Sequence, residues 1–106
     1  MPIADAEFRL SSTTINAKPI KRSLMDIAPN PASKEVYIAY QLPDKYHIAI
    51  LEIHNAIGQT VALIDISNHR HVFKIDVEAY TPGIYLVSLI VDGYVIETSK
   101  LNILKN

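Results

Sequence analysis

The stretch Thr81-Pro82-Gly83-Ile84-Tyr85-Leu86-Val87-Ser88-Leu89-Ile90-Val91-Asp92-Gly93-Tyr94 decides the fold. From Ile84 to Val91 every residue except Ser88 is apolar, and such a run between two turn signals reads as a central strand covered on both faces. Asp92-Gly93 is the strongest hairpin signal in the chain, because a two-residue type I′ loop needs positive φ at both positions. The return is expected as two strands, Tyr94 to Thr98 and Leu101 to Leu104. Tyr80-Thr81-Pro82-Gly83 is the turn that feeds the run.

Working toward the N-terminus, the same grammar repeats. Phe73, Ile75 and Val77 alternate with Lys74, Asp76 and Glu78 within Arg70 to Val77, and at about 1.5–3 kcal/mol per buried side chain they orient that strand toward a core. Tyr46 to Asn55, the turn Ala56-Ile57-Gly58-Gln59 and Thr60 to Ile66 read as a hairpin in which Gly58 supplies the positive φ. Val36, Ile38, Tyr40 and Leu42 fall on one face of Val36 to Leu42 and are expected in the core, before Pro43-Asp44 breaks the strand. Ser23 to Ile27 is a first short strand, ended at Pro29-Asn30-Pro31, where two prolines fix φ and remove two donors. A helix over Asp44 to His54 fails on β-branched content and period. About seven short strands with turns every 8–12 residues predict an all-β chain, an immunoglobulin-like antiparallel β-sandwich, with a small Greek-key barrel as the alternative.

Residues 1–22 show no sustained period and read as a linker or the tail of a preceding domain, which sets the domain at 23–106. A chain of 106 residues, 49% of them apolar, has room for one core. Ten Lys and Arg against eleven Asp and Glu leave no basic footprint for nucleic acid or an anionic membrane. No cysteine is present, so disulfides, thiolate metal sites and a Cys nucleophile are excluded. Met1-Pro2-Ile3-Ala4-Asp5 lacks the basic and apolar regions of a signal peptide, so the leader of a secreted protein is expected on a longer parent polypeptide.

Catalytic chemistry is sparse. His69-Arg70-His71 sets two imidazoles on one strand face, but no acidic or third ligand stands nearby at suitable spacing for zinc. His47 and His54 read as strand residues with ordinary hydrogen-bond partners. There is no Gly-x-Ser-x-Gly elbow and no phosphate loop, and each of the three glycines is needed for a turn. No catalytic residue, metal or cofactor is assigned, and the chain is read as non-enzymatic. Of the six tyrosines, Tyr37, Tyr40 and Tyr85 are expected to pack within strands. Tyr46, Tyr80 and Tyr94, at loop edges, are the candidates for a sugar-binding or adhesive patch.

Taken in order, several of these segments resemble the C-terminal sorting domain of the Bacteroidetes type IX (Por) secretion system. They are Pro29-Asn30-Pro31-Ala32-Ser33 with the strand to Leu42 and Pro43, Ile53-His54-Asn55-Ala56-Ile57-Gly58-Gln59-Thr60-Val61, Thr81-Pro82-Gly83-Ile84-Tyr85-Leu86-Val87, Asp92-Gly93, and Lys100-Leu101-Asn102-Ile103-Leu104-Lys105. The likeness covers about residues 24–106. Ala28 stands where members often carry an aromatic, and residues 1–22 match nothing in the pattern.

The resemblance implies a secretion signal at the end of a cargo protein, passed from the periplasm through the outer membrane to the cell surface or medium. Its implied partners are the translocon and shuttle components of the type IX system, a sortase-like protease and a fused N-terminal cargo domain. The protease is expected to cut in the stretch before Leu24, with the cargo attached to the surface. The motif residues are Pro29, Asn30, Pro31, Gly58, Gly83, Tyr85, Lys100 and Lys105. The prolines, glycines and Tyr85 are expected to shape the fold, and the two lysines to mark a C-terminal recognition element offering a strand edge. The competing reading is an adhesive or carbohydrate-binding module. A label must close its parent polypeptide, and here only Lys105-Asn106 follow the last strand.

Overall fold

The computed structural model describes residues 23–68 and 71–105. The expected linker and cleavage stretch, residues 1–22, lies outside the described residues, as do His69, Arg70 and Asn106. Seven strands follow in chain order: β1 (Met25–Ala28), β2 (Glu35–Tyr40), β3 (Ala49–Asn55), β4 (Thr60–Asp65), β5 (Val72–Asp76), β6 (Gly83–Val91) and β7 (Tyr94–Ile103). No helix occurs among the described residues. One sheet has the order β1-β2-β5 and the other β4-β3-β6-β7, with every strand pair antiparallel. The molecule is the immunoglobulin-like sandwich that the turn spacing predicts.

Alternation places the core. Val36, Ile38 and Tyr40 on β2, Ala49, Leu51 and Ile53 on β3, Tyr85, Val87, Leu89 and Val91 on β6, and Leu101 and Ile103 on β7 are buried between the sheets. A slip of one residue in any ladder would turn these sets to solvent, so burial fixes the register. Leu42 and Phe73 are only partly buried at the margin of this core. Asp92 and Gly93 have φ of 50° and 87°, as the type I′ hairpin requires, and Val91 pairs with Tyr94 across it.

Four expectations are corrected. β6 is interior within its sheet but covered on one face only: Ile84 and Leu86 are each 41% exposed on the outer side. A run of apolar residues reports sheet position here, not double coverage. The two return strands are one ten-residue strand, β7; Leu89 pairs with Glu97 and Ile90 with Val95, which leaves Ile96 as the extra residue of a bulge. The polar residues Ser99 and Lys100 do not interrupt it, because the backbone ladder to Val87 and Leu86 continues through them. β5 starts at Val72, since His71 at φ 65° turns out of the extended region. β3 starts at Ala49, because residues 47 and 48 donate their amides to the Asp92 carboxylate.

The strands run between two poles. Ser23 and the start of β1 share one pole with the end of β2, the start of β3 and the Asp92-Gly93 hairpin; this is the junction pole. The distal pole gathers residues 29–34, the β3–β4 turn, the segment between β5 and β6, and the end of β7.

Candidate functional site

At the distal pole, segments far apart in sequence are tied together by specific hydrogen bonds. β1 ends at Ala28, and the Pro29-Asn30-Pro31 segment turns across the outer edge of β7. With no N–H on either proline, the polar capacity here belongs to Asn30. Its side-chain amide donates to the Lys100 carbonyl at 2.8 Å, while its oxygen accepts the Asn102 N–H at 2.9 Å. The buried Ala32 extends the seam as a parallel bridge to Ile103, its N–H reaching the Asn102 carbonyl at 2.8 Å and its carbonyl accepting the Leu104 N–H at 2.9 Å. Edge groups of β7 that a partner strand could have used are therefore already paired from Lys100 to Leu104, which corrects the expectation of an open edge there.

Lys105 completes the knot. Its ammonium donates to the carbonyls of Ser33 at 2.6 Å, Glu78 at 2.8 Å and Val77 at 3.3 Å. Three carbonyls from two loops converge on three ammonium protons, so this lysine joins the β1–β2 and β5–β6 connections to the chain end. It differs in kind from Lys100, which stands exposed on β7 opposite Leu86.

Tyr85 anchors the β5–β6 segment from within the core. The residue is 5% exposed, its hydroxyl donates to the Thr81 carbonyl at 2.7 Å and lies 3.0 Å from Thr81 Oγ1. Tyr80 packs on its ring at a centroid distance of 5.3 Å, tilted by 50°. Burial, with Tyr85 adding to it, raises the Tyr80 hydroxyl pKa above the usual tyrosine value. Tyr46 is likewise half-buried and donates to the Ser67 carbonyl at 3.0 Å. Of the three loop-edge tyrosines only Tyr94, 76% exposed, is open to solvent, and it lies at the other pole. The three therefore form no common patch.

The β3–β4 turn closes the pole on its other side. Asn55 organises it: its oxygen accepts from the Ile57 and Gln59 amides at 3.2 and 2.9 Å, and its amide donates to Gln59 Oε1 at 2.8 Å. Gly58 at φ +91° and Gly83 at φ +146° hold conformations that L side chains rarely adopt, and neither has a neighbour within 4 Å of the Cβ position. Backbone conformation, not close packing, selects glycine at both. Between Asn55-Ala56-Ile57 and Thr81 to Tyr85 runs an open groove of about 240 Å³, with Ile57 79% exposed at its lip.

Pro29, Asn30, Pro31, Gly58, Gly83, Tyr85 and Lys105 thus meet at one pole, and Lys100 stands on the strand leading to it. Sequence reading missed the working parts of this site: Asn55 as the organiser of its turn, Ala32 as a bridge, and the carbonyls that hold Lys105. An Asn three residues before a turn glycine is the one local signal that could have found Asn55. Among the described residues no cluster of three or more His, Asp or Glu side chains could hold a metal ion. The model of the family described as secretion system C-terminal sorting domain matches residues 26–104. No curated protein matches the chain.

Proposed function

The chain belongs to the secretion system C-terminal sorting domain family, a family of type IX secretion signals, and from that premise we propose that its distal pole is the surface the secretion machinery reads. Members of this family direct export to the cell surface or medium and are not a class of enzymes. The observation that carries the proposal is the convergence of motif segments separated by up to 72 residues onto one end of the sandwich, opposite the end where Ser23 enters. A fused N-terminal cargo domain in this reading joins the described residues at Ser23, at the junction pole, away from the motif residues. In this reading the translocon and shuttle components bind the distal pole, and a sortase-like protease cuts before Leu24 as the cargo is attached to the surface.

The two lysines take different parts. Lys105 shapes the surface from inside by fixing two loops, and Lys100 offers an exposed charge to the receptor. Deleting residues 100–106 is a poor test of either, because it removes Leu101 and Ile103, both fully buried. The test is a fusion of residues 23–106 with some upstream linker, placed behind a signal peptide and a fluorescent reporter in a type IX-competent bacterium. The reporter is expected at the cell surface, and Lys100→Glu is expected to lower surface delivery without changing the circular dichroism spectrum. A folded fusion retained in the periplasm would overturn the sorting role of the chain. Normal export of Lys100→Glu together with loss on substituting a junction-pole residue such as Tyr94→Glu would overturn the distal surface.

A further inference from the structure

The edge of β7 is held at intervals by the chain that runs from Ser23 through β1 to Ala32, and the spacing of those contacts is regular. Asn30 reaches the Lys100 carbonyl and the Asn102 N–H, 70 and 72 positions on. The Leu24 N–H donates to Glu97 Oε1, 73 positions on, and the Ser23 hydroxyl to Glu97 Oε2, 74 positions on. Both segments run in the same direction, with Ala32 and Ile103 bridged in parallel at the far end. Residues before Ser23 that keep this course therefore fall beside residues before Glu97.

What lies there is apolar and open. Tyr94 is 76% exposed and Ile96 36%. Tyr94 pairs with the buried Val91, and the bulge sets Ile96 and Glu97 together against the buried Leu89, so all three belong to the side of β7 that meets Ser23 and Leu24. Asp92 and Glu97 flank the two apolar residues with carboxylates. The sequence before Ser23 has the complementary make-up. Lys18-Pro19-Ile20-Lys21-Arg22 sets one large apolar residue among three bases, and Pro19 biases the residue before it toward extended backbone. Residues 8–22 carry four bases and no acid, against six bases and nine acids in residues 23–106.

We propose that Lys18 to Arg22 docks on the Tyr94 to Ile96 surface of its own chain, in line with β1. At an offset of 74, the value reached at Ser23, Ile20 falls beside Tyr94 and Arg22 beside Ile96. Two positions apart, Ile20 and Arg22 share one face of an extended chain. Ile20 seats against the Tyr94 ring, and the Arg22 stem covers Ile96 while its guanidinium meets the Glu97 carboxylate. The occupant is this segment because it is tethered at the site. Three residues of extended chain span about 10 Å, so Ile20 stays within reach of Tyr94 at an effective concentration on the order of millimolar. The free chain then begins before Lys18 and not at Ser23. This inference goes beyond the sorting role and does not rest on it.

The test is limited trypsin digestion of the whole 106-residue chain, read by mass spectrometry, with the cut after Arg9 as the reference. Cleavage after Lys21 and Arg22 is expected to be about tenfold slower than after Arg9, as for sites opened only when one apolar side chain is unseated. Ile20→Ser is expected to remove the difference with an unchanged circular dichroism spectrum, and so is the double variant Tyr94→Ser, Ile96→Ser. Nuclear Overhauser contacts between the Ile20 methyls and the Tyr94 ring of the unmodified chain supply a second readout if the double variant does not fold. Cleavage after Lys21 and Arg22 as fast as after Arg9 overturns the proposal. So does slow cleavage that Ile20→Ser leaves slow, which assigns it to the nearness of the folded domain. An Ile20–Tyr94 contact that appears only as concentration rises also overturns it, by giving the surface to a second copy.

Discussion

The two poles of the sandwich are fastened by different chemistry. At the distal pole the cross-links between distant segments come from Lys105, whose ammonium donates to three backbone carbonyls, and from Asn30, which donates to one carbonyl and accepts one amide. At the junction pole the acceptors are carboxylates: Asp92 takes the Ile48 and His47 amides at 2.9 and 2.8 Å, and Glu97 takes the Leu24 amide at 2.8 Å and the Ser23 hydroxyl at 2.7 Å. A carboxylate that accepts backbone amides loses that role once protonated. Protonation of Asp92 in acid therefore removes an anchor of the junction pole.

The largest effect comes from taking the apolar seat out of the distal pole. Ile103→Ala, at a fully buried position, is expected to cost about 2–5 kcal/mol in urea denaturation, and with it the comparison itself would break, since both poles would melt together. Asn30→Ala sharpens it. Leaving the Asn102 N–H and Lys100 carbonyl without their partner is expected to cost about 1–2 kcal/mol, less than a buried pair would because both sites are partly wet. Hydrogen exchange should then rise at Asn102 and not at Ile48. The smallest effect is a pH dependence. The Ile48 and His47 amides hold the Asp92 carboxyl below the usual carboxylate range, against a smaller opposing desolvation. Its contribution is thus fully present above the ordinary carboxylate pKa and is lost as pH falls through the lowered value. Asp92→Asn, which tolerates the same positive φ, is expected to flatten the decline of the urea midpoint in acid. A decline of unchanged steepness would assign the acid response to another group.

Much of this architecture was legible because it is written locally. The alternation of Val36, Ile38 and Tyr40 and the pair Asp92-Gly93 each carry their own instruction within a few residues. β7 was harder, since the ladder is blind to side-chain polarity at Ser99 and Lys100 while a reader of periodicity is not. The apolar outer face of β6 misled for the opposite reason: Ile84 and Leu86 suit a strand by shape even where no second layer covers them. The site itself was legible only as a set of residues. Asn30 and Lys105 act on groups 27 to 72 positions away, and no local pattern states that three carbonyls will meet one ammonium.

The parallel course of β1 and β7, bridged by Ala32 and Ile103, gives the sandwich a mechanical character. The chain enters at one pole and its last strand finishes at the other, so a pull between Ser23 and Lys105 acts along the strand axes. Hydrogen bonds from Asn30 and Ala32 to β7 are then loaded together, in shear, instead of being peeled one after another. A domain strung this way resists tension applied lengthwise between its two ends, yet yields to a force that lifts β7 sideways from its edge.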